Sequence, residues 1–223
     1  MKRGLQLVVM LLAIAPVCAA SDPLERIVAT VNRQPLMASE LDDELRFEAF
    51  QQGRPPASIS AADAQAALDR LVEHELLRQQ MQQFSPAADS EVEDAVRAIR
   101  GHFPSGSSDE VWKQVRAQYG FTPQQVREMV ADQLQILHFI DFRLRPSLRV
   151  SRGEVERYYR ETLAPKVKSR GQEPEPLAAV YSRIEEFLTE QRMNELLANW
   201  MNTLRGQSDI RIRWTPPAAG PRP

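Results

Sequence analysis

Cysteine is almost missing from this chain of 223 residues; Cys18 is the single one, and it falls in a leader-like stretch at the start. Once that stretch is removed no thiol remains, which excludes disulfides and cysteine catalysis. Histidine is nearly as scarce. His74 stands between Glu73 and Glu75, His102 lies in a Gly/Pro loop and His138 on a long helical pattern. No two of them share a metal-ligand spacing such as the i, i+4 pair of HExxH. Gly-rich phosphate loops, nucleophile elbows and Walker patterns are missing as well. The run Asp42-Asp43-Glu44 reads as a solvated helix face rather than an acid pair. No catalytic residue, metal, cofactor or ATP site is therefore expected. Nor is there a basic surplus: 28 Lys and Arg stand against 30 Asp and Glu, a net charge of −2. Loss of Lys2 and Arg3 with the leader takes this to −4, which argues against nucleic acid as a partner.

What is present begins with that leader. Lys2 and Arg3 precede an apolar run from Leu5 to Val17, ending in Val17-Cys18-Ala19-Ala20. Small residues there suit signal peptidase, so residues 1–20 read as an export signal cut after Ala19 or Ala20. The run is shorter than the roughly 20 residues of a comfortable membrane span. An uncleaved anchor in the inner membrane is the alternative, and only then is a membrane contact expected. Ala15-Pro16-Val17-Cys18 fits a lipoprotein box poorly. The expected location is the periplasm. Roughly 200 mature residues suffice for a real core.

The mature chain reads as mainly helical. Ile27–Asn32 is a β-branched strand, Asn32-Arg33-Gln34-Pro35 a turn, and Leu36-Met37 a short second strand. Ser39 is expected to cap a helix through Leu41, Leu45 and Phe47 to about Gln51. Ser60 with Asp63 caps the next, whose Leu68, Leu71, Val72, Leu76 and Met81 form one stripe. Ser90 to Glu93 reads as a capping box for a shorter helix, and Ser107 with Glu110 as another. Thr122-Pro123-Gln124-Gln125 combines an N-cap, an N1 proline and an N3 glutamine, and starts a long helix ending at Leu144. Ser151 with Glu154 opens one more. A last helix, Leu177–Leu204, carries Val180, Ile184, Phe187, Leu188, Met193, Leu197, Trp200, Met201 and Leu204 in a stripe about seven turns long. Beyond it Ile210, Ile212 and Trp214 alternate with Arg211 and Arg213, a half-buried strand. The expected closure pairs that strand with Ile27–Asn32 and packs the last helix among the earlier ones.

In this order the elements resemble the SurA-type family of exported chaperones. The resemblance rests on Val28–Asn32 followed by Leu36–Leu41, on Leu68–Val72 with Leu76–Gln79, and on Val150-Ser151, Glu154-Val155 and Tyr158-Tyr159, the segment that in the family precedes a parvulin isomerase domain. The closing helix and Ile210–Trp214 look like the family's C-terminal return. Between Tyr159 and the last helix, however, lie only about 17 residues, where a folded domain needs at least roughly 50. The resemblance thus implies the chaperone part without the enzyme: signal 1–20, helical domain 21–163, polar linker 164–176 in place of an isomerase, returning helix and strand 177–214, and a disordered tail 215–223. It implies an ATP-independent holdase for unfolded or partly folded exported polypeptides, outer-membrane proteins among them. A peptidyl-prolyl isomerase with an unrecognised site and an adaptor dedicated to one secretion or assembly partner are the alternatives, and oligomeric state is left open.

Candidate client-binding residues are the aromatics around the Gly101–Thr122 region and the long helix: Phe103, Trp112, Tyr119, Phe121 and Phe142. Some of them are expected to line an apolar groove, with the others in the core; Met81 and Met129 would add adaptable surface.

Overall fold

A computed structural model of the chain describes residues 25–103 and 108–215. The expected signal (1–20), the Ser107 cap and all but the first residue of the expected tail lie outside the described residues. The rest is helical around one small sheet. Strands β1 (Ile27–Val31) and β2 (Gln34–Met37) form an antiparallel hairpin, and β3 (Ile210–Ile212) pairs antiparallel with the other edge of β1, Thr30 opposite Arg211. The two ends of the chain are thereby joined, as the strand patterns predict. Asn32 makes the joint. It takes a φ of +57°, a left-handed conformation that asparagine tolerates better than most residues. Its N–H donates to the Asp209 carbonyl (2.7 Å), and its side-chain oxygen accepts from the Asp209 N–H (3.0 Å). Its amide nitrogen donates to Gln79 on the second helix (2.6 Å).

The helices are α1 (Ala38–Gln51), α2 (Ala61–Gln80), α3 (Asp89–Gly101), α4 (Asp109–Gln118), α5 (Pro123–Leu144), α6 (Arg152–Tyr158), α7 (Ala164–Lys168) and α8 (Leu177–Gln207). Ser60/Asp63, Thr122/Gln125 and Ser151/Glu154 form reciprocal capping boxes, each side chain satisfying a backbone N–H that the first turn leaves orphaned. Glu154 shows the strength of this: the Ser151 backbone and hydroxyl donors, with Arg192 of α8, hold its carboxyl at a pKa of about 2. Two expected starts are corrected. α1 begins before Ser39, because the Glu40 carboxylate reaches back to the Met37 N–H (2.6 Å), while the Ser39 hydroxyl bonds Glu25. α3 begins at Asp89, because it is Glu91 that reaches back, to the Ala88 N–H (3.1 Å). In both cases the carboxylate three residues in selects the cap. The segment expected as a polar linker starts as helix: a π turn at Tyr159–Leu163 carries α6 directly into α7.

Three apolar cores result. The first joins the sheet, α1, α2, the second half of α5 and the C-terminal end of α8, with Val28, Val31, Leu68 and Leu76 at its centre. The second is aromatic and lies between the end of α1, α3, α4 and the first half of α5. The third is small, with Val155 of α6 against Val180 and Ile184 of α8. α8 serves the first and third cores with its two ends, and no residue between Ile184 and Met201 is buried. The long stripe on this helix is therefore not one continuous interface, and Phe187 within it is 47% exposed beside Tyr158.

Candidate client-binding groove

The aromatics picked out by sequence divide sharply. Trp112, Tyr119 and Phe121 are buried in the second core, and Phe103 packs against it. Their rings converge on Phe50, whose centroid lies 5.2 Å from Tyr119, 5.4 Å from Trp112, 5.6 Å from Phe103 and 5.9 Å from Phe121. The Tyr119 hydroxyl donates to the Arg54 carbonyl (2.7 Å), and burial pushes its pKa up. Arg46 covers the Phe121 face at 5.3 Å and donates to the Tyr119 carbonyl (2.9 Å). Gly120 between them has φ +74°, and a Cβ there would come within 2.7 Å of the Arg46 guanidinium. Trp112 and Tyr119 are therefore core rings, and Phe121 is buried with them except for an edge that faces a hollow between α1, α2 and α5. The reason is local: a short helix of ten residues can be held only by covering its few apolar side chains.

Phe142 stands apart, 68% exposed on α5, with one side against Phe84 (5.8 Å between centroids). Phe84 also meets Phe139, and Phe139 meets Trp200 of α8, which lies under the Arg143 guanidinium. An aromatic row therefore runs from the end of α2 across α5 to α8, with Phe142 at its open edge.

On another side of α5 the second half of the helix, α2 and α8 enclose a groove of about 450 Å³. Its apolar lining comes from Leu77, Ile136, Leu137, Ile140, Leu197 and Met201, and Leu137 is 58% exposed. The stretch of α8 that lacks buried residues contributes Leu197. Burying such side chains against another chain is worth about 25 cal/mol per Å². The rim is polar: Arg70 pairs with Glu44 (3.3 Å) and with Glu48, Arg205 of α8 with Glu73 (2.9 Å), and Gln51 bonds Gln133 across from α1 to α5 (2.6 Å). Half-buried His74 sits at this rim. Burial lowers its pKa, Glu44 and Glu73 oppose that, and Arg70 and Arg78 reinforce it. A larger hollow, about 1200 Å³, lies between α1 and the start of α2, with Leu41, Leu45, Ile59, Ala64 and Trp214 in its lining. Sequence reasoning missed this groove although it named Leu197 and Met201 as stripe residues. The available signal was width. From Leu134 to Leu144 apolar side chains occupy more than one face of α5, more than a single core contact requires.

Groups of His, Cys, Asp and Glu able to hold a metal are not found among the described residues. No described helix is long and apolar enough to cross a membrane. The model of the SurA-like N-terminal domain matches residues 3–140, which takes in the hairpin, α1 to α4 and most of α5. The chain belongs to the SurA-like N-terminal domain family. No curated protein matches it. The SurA-like match includes Leu77, Ile136, Leu137 and Ile140 of the groove, whereas the α8 wall and Phe142 lie beyond it. A parvulin domain is not among the described residues, where α6, the π turn and α7 lead by a short polar stretch to α8. A SurA-like domain of this kind suggests a chaperone-type role.

Proposed function

We propose that this protein is an ATP-independent periplasmic holdase that binds unfolded exported polypeptides, outer-membrane proteins among them, in the groove between α2, α5 and α8. The observation that carries the reading is Leu137, more than half exposed on a long helix, above an apolar lining in a SurA-like fold. A surface leucine in such a setting suits an interaction site better than a self-contained surface. Phe142 and Phe84 extend the contact along another side of α5. The export leader read at 1–20 supports the compartment, and the lack of a nucleotide motif supports passive binding.

The test is suppression of aggregation. Without nucleotide, the purified protein should keep a urea-diluted outer-membrane protein soluble, and Leu137→Ser with Phe142→Ser should remove most of that effect while the fold persists. Full protection by the double variant would refute the assignment to α5. Isomerase activity is not part of this function: a proline-containing test peptide should keep its uncatalysed cis/trans rate of tens of seconds or slower. An acceleration that persists through repurification would restore the enzymatic alternative.

A further inference from the structure

The groove does not end at its first section. A second hollow of about 370 Å³, between α1, α2 and the first half of α5, shares Glu44, His74, Gln133 and Ile136 with it, so the two adjoin along those side chains as neighbouring sections of a channel. The second section keeps an apolar lining, with Leu71 and Met129 over the edge of the aromatic core at Phe47 and Phe121. Its charges are mainly of one sign. Glu40, Asp43, Glu128 and Asp132 line the second section, and Glu48 and Glu73 the first, with Glu44 between them. Asp43 pairs with Arg46 and Glu73 with Arg205, neither arginine in the lining; the lining arginines are Arg70 and Arg78.

Both lining arginines are already committed. Arg70 is shared by Glu44 and Glu48, and Arg78 by Glu75 and Asp132 (3.1 and 3.6 Å). Glu40 and Glu128 have no cationic partner among the described residues; the first accepts from the Met37 N–H, the second from Gln124 (2.9 Å). His74 at the junction is held toward its neutral form by burial and so does not offset the carboxylates near neutral pH. An apolar floor flanked by a surplus of carboxylates, with Glu40 and Glu128 unpaired and Arg70 and Arg78 each shared by two, is complementary to one kind of chain: extended, with apolar side chains interspersed with lysine or arginine.

We propose that the channel selects cationic apolar segments of its clients and turns away acidic ones. The inference rests on the client groove proposed above. The floor supplies affinity by burial. The carboxylates supply choice, since complementary charge speeds encounter and like charge is penalised.

Three labelled 12-residue peptides test it, with identical Leu and Phe positions and with Lys, Gln or Glu at every intervening charged site. Each is titrated with the purified exported chain by fluorescence anisotropy, in 50 mM and in 500 mM NaCl. The Lys peptide should bind about tenfold tighter than the Gln peptide at low salt, as two or three solvent-exposed ion pairs would give. The Glu peptide should bind weakest, and the spread should collapse at high salt. Glu128→Gln with Asp132→Asn, both on the exposed face of α5, should cut the Lys advantage severalfold and leave the Gln peptide unchanged. Leu137→Ser should weaken all three. Equal affinities for the three peptides overturn the charge selection and leave the client groove standing. Binding of none of them overturns both. Undiminished Lys-peptide binding by Leu137→Ser means that the cationic segment is held elsewhere and overturns the selection by this channel.

Discussion

Helix α5 passes through two environments that its sequence hardly distinguishes. In its first half Val126 and Val130 are buried against the aromatic cluster of α1, α3 and α4, and only half-buried Met129 is left partly open. In its second half Ile136 and Leu144 are buried while Leu137 and Phe142 stand out of the surface on separate sides. The first half is surrounded by short helices that have no stability of their own and close completely around one ring, Phe50. The second half is flanked by α8, whose ends are anchored in separate cores and whose middle touches little. One region is saturated with internal partners. In the other, two long helices leave apolar surface between them. A cluster of aromatic residues in sequence thus marked a core, and the open apolar surface formed where α5 carries more of it than its neighbours cover.

The widest separation between the two regions should appear with Phe50→Ala. The ring is fully buried and lies against five other aromatics, so its loss should cost about 3–5 kcal/mol in urea unfolding. Whatever remains folded should bind client normally. Loss of client binding with an unchanged midpoint would move the site into the aromatic core and reverse the comparison. Asn32→Ala comes next. It removes the side-chain bond to Asp209 that ties β3, and through it α8, to the hairpin, and the bond to Gln79 that ties the hairpin turn to α2. About 1–2 kcal/mol should be lost, and because α8 walls the groove, client affinity should fall in parallel. Affinity untouched by a loosened β3 would show that the α8 wall holds its place without the sheet.

Leu137→Ser and Phe142→Ser should change stability by no more than about 0.5 kcal/mol each, as exposed positions do. Each should still weaken the client several-fold in a direct binding titration. A stability loss above about 2 kcal/mol at either residue would make that side of α5 core and erase the contrast. The smallest effect belongs to His74. Burial lowers its folded pKa below the ordinary 6.5, so the unfolded chain takes up the proton first as pH falls. That contribution to stability is therefore complete above pH 6.5 and declines below it, and His74→Asn should flatten the profile in this window. A profile below pH 6.5 that is the same in both proteins would remove His74 as its cause.

Much of the fold is legible along the chain because it depends on neighbours a few residues apart. Thr122 with Gln125 and Ser151 with Glu154 set their helix starts through bonds spanning three residues, and Ile27–Val31 and Ile210–Ile212 declare themselves by β-branched or alternating residues. Ser39 and Ser90 misled for the same local reason: a carboxylate further along competed for the cap and won. The distance from Tyr159 to α8 already excluded an inserted isomerase, since chain length bounds what can fold there. Asn32 is different. Its role depends on Asp209, 177 residues away, and no local pattern announces such a partner.

The chain by itself therefore determined the helices, their caps, the strands that meet and the apolar faces in need of cover, all consequences of short-range bonding and periodicity. Which of those faces found cover was decided by the tertiary structure. Periodicity records that Leu137, Phe142 and Phe187 are apolar, in the same terms as Val130 or Val180. Whether another element reaches them depends on helix lengths and crossings. α8, with 31 residues, outruns its partners and buries only its ends, so the apolar surface between those ends stays open to water.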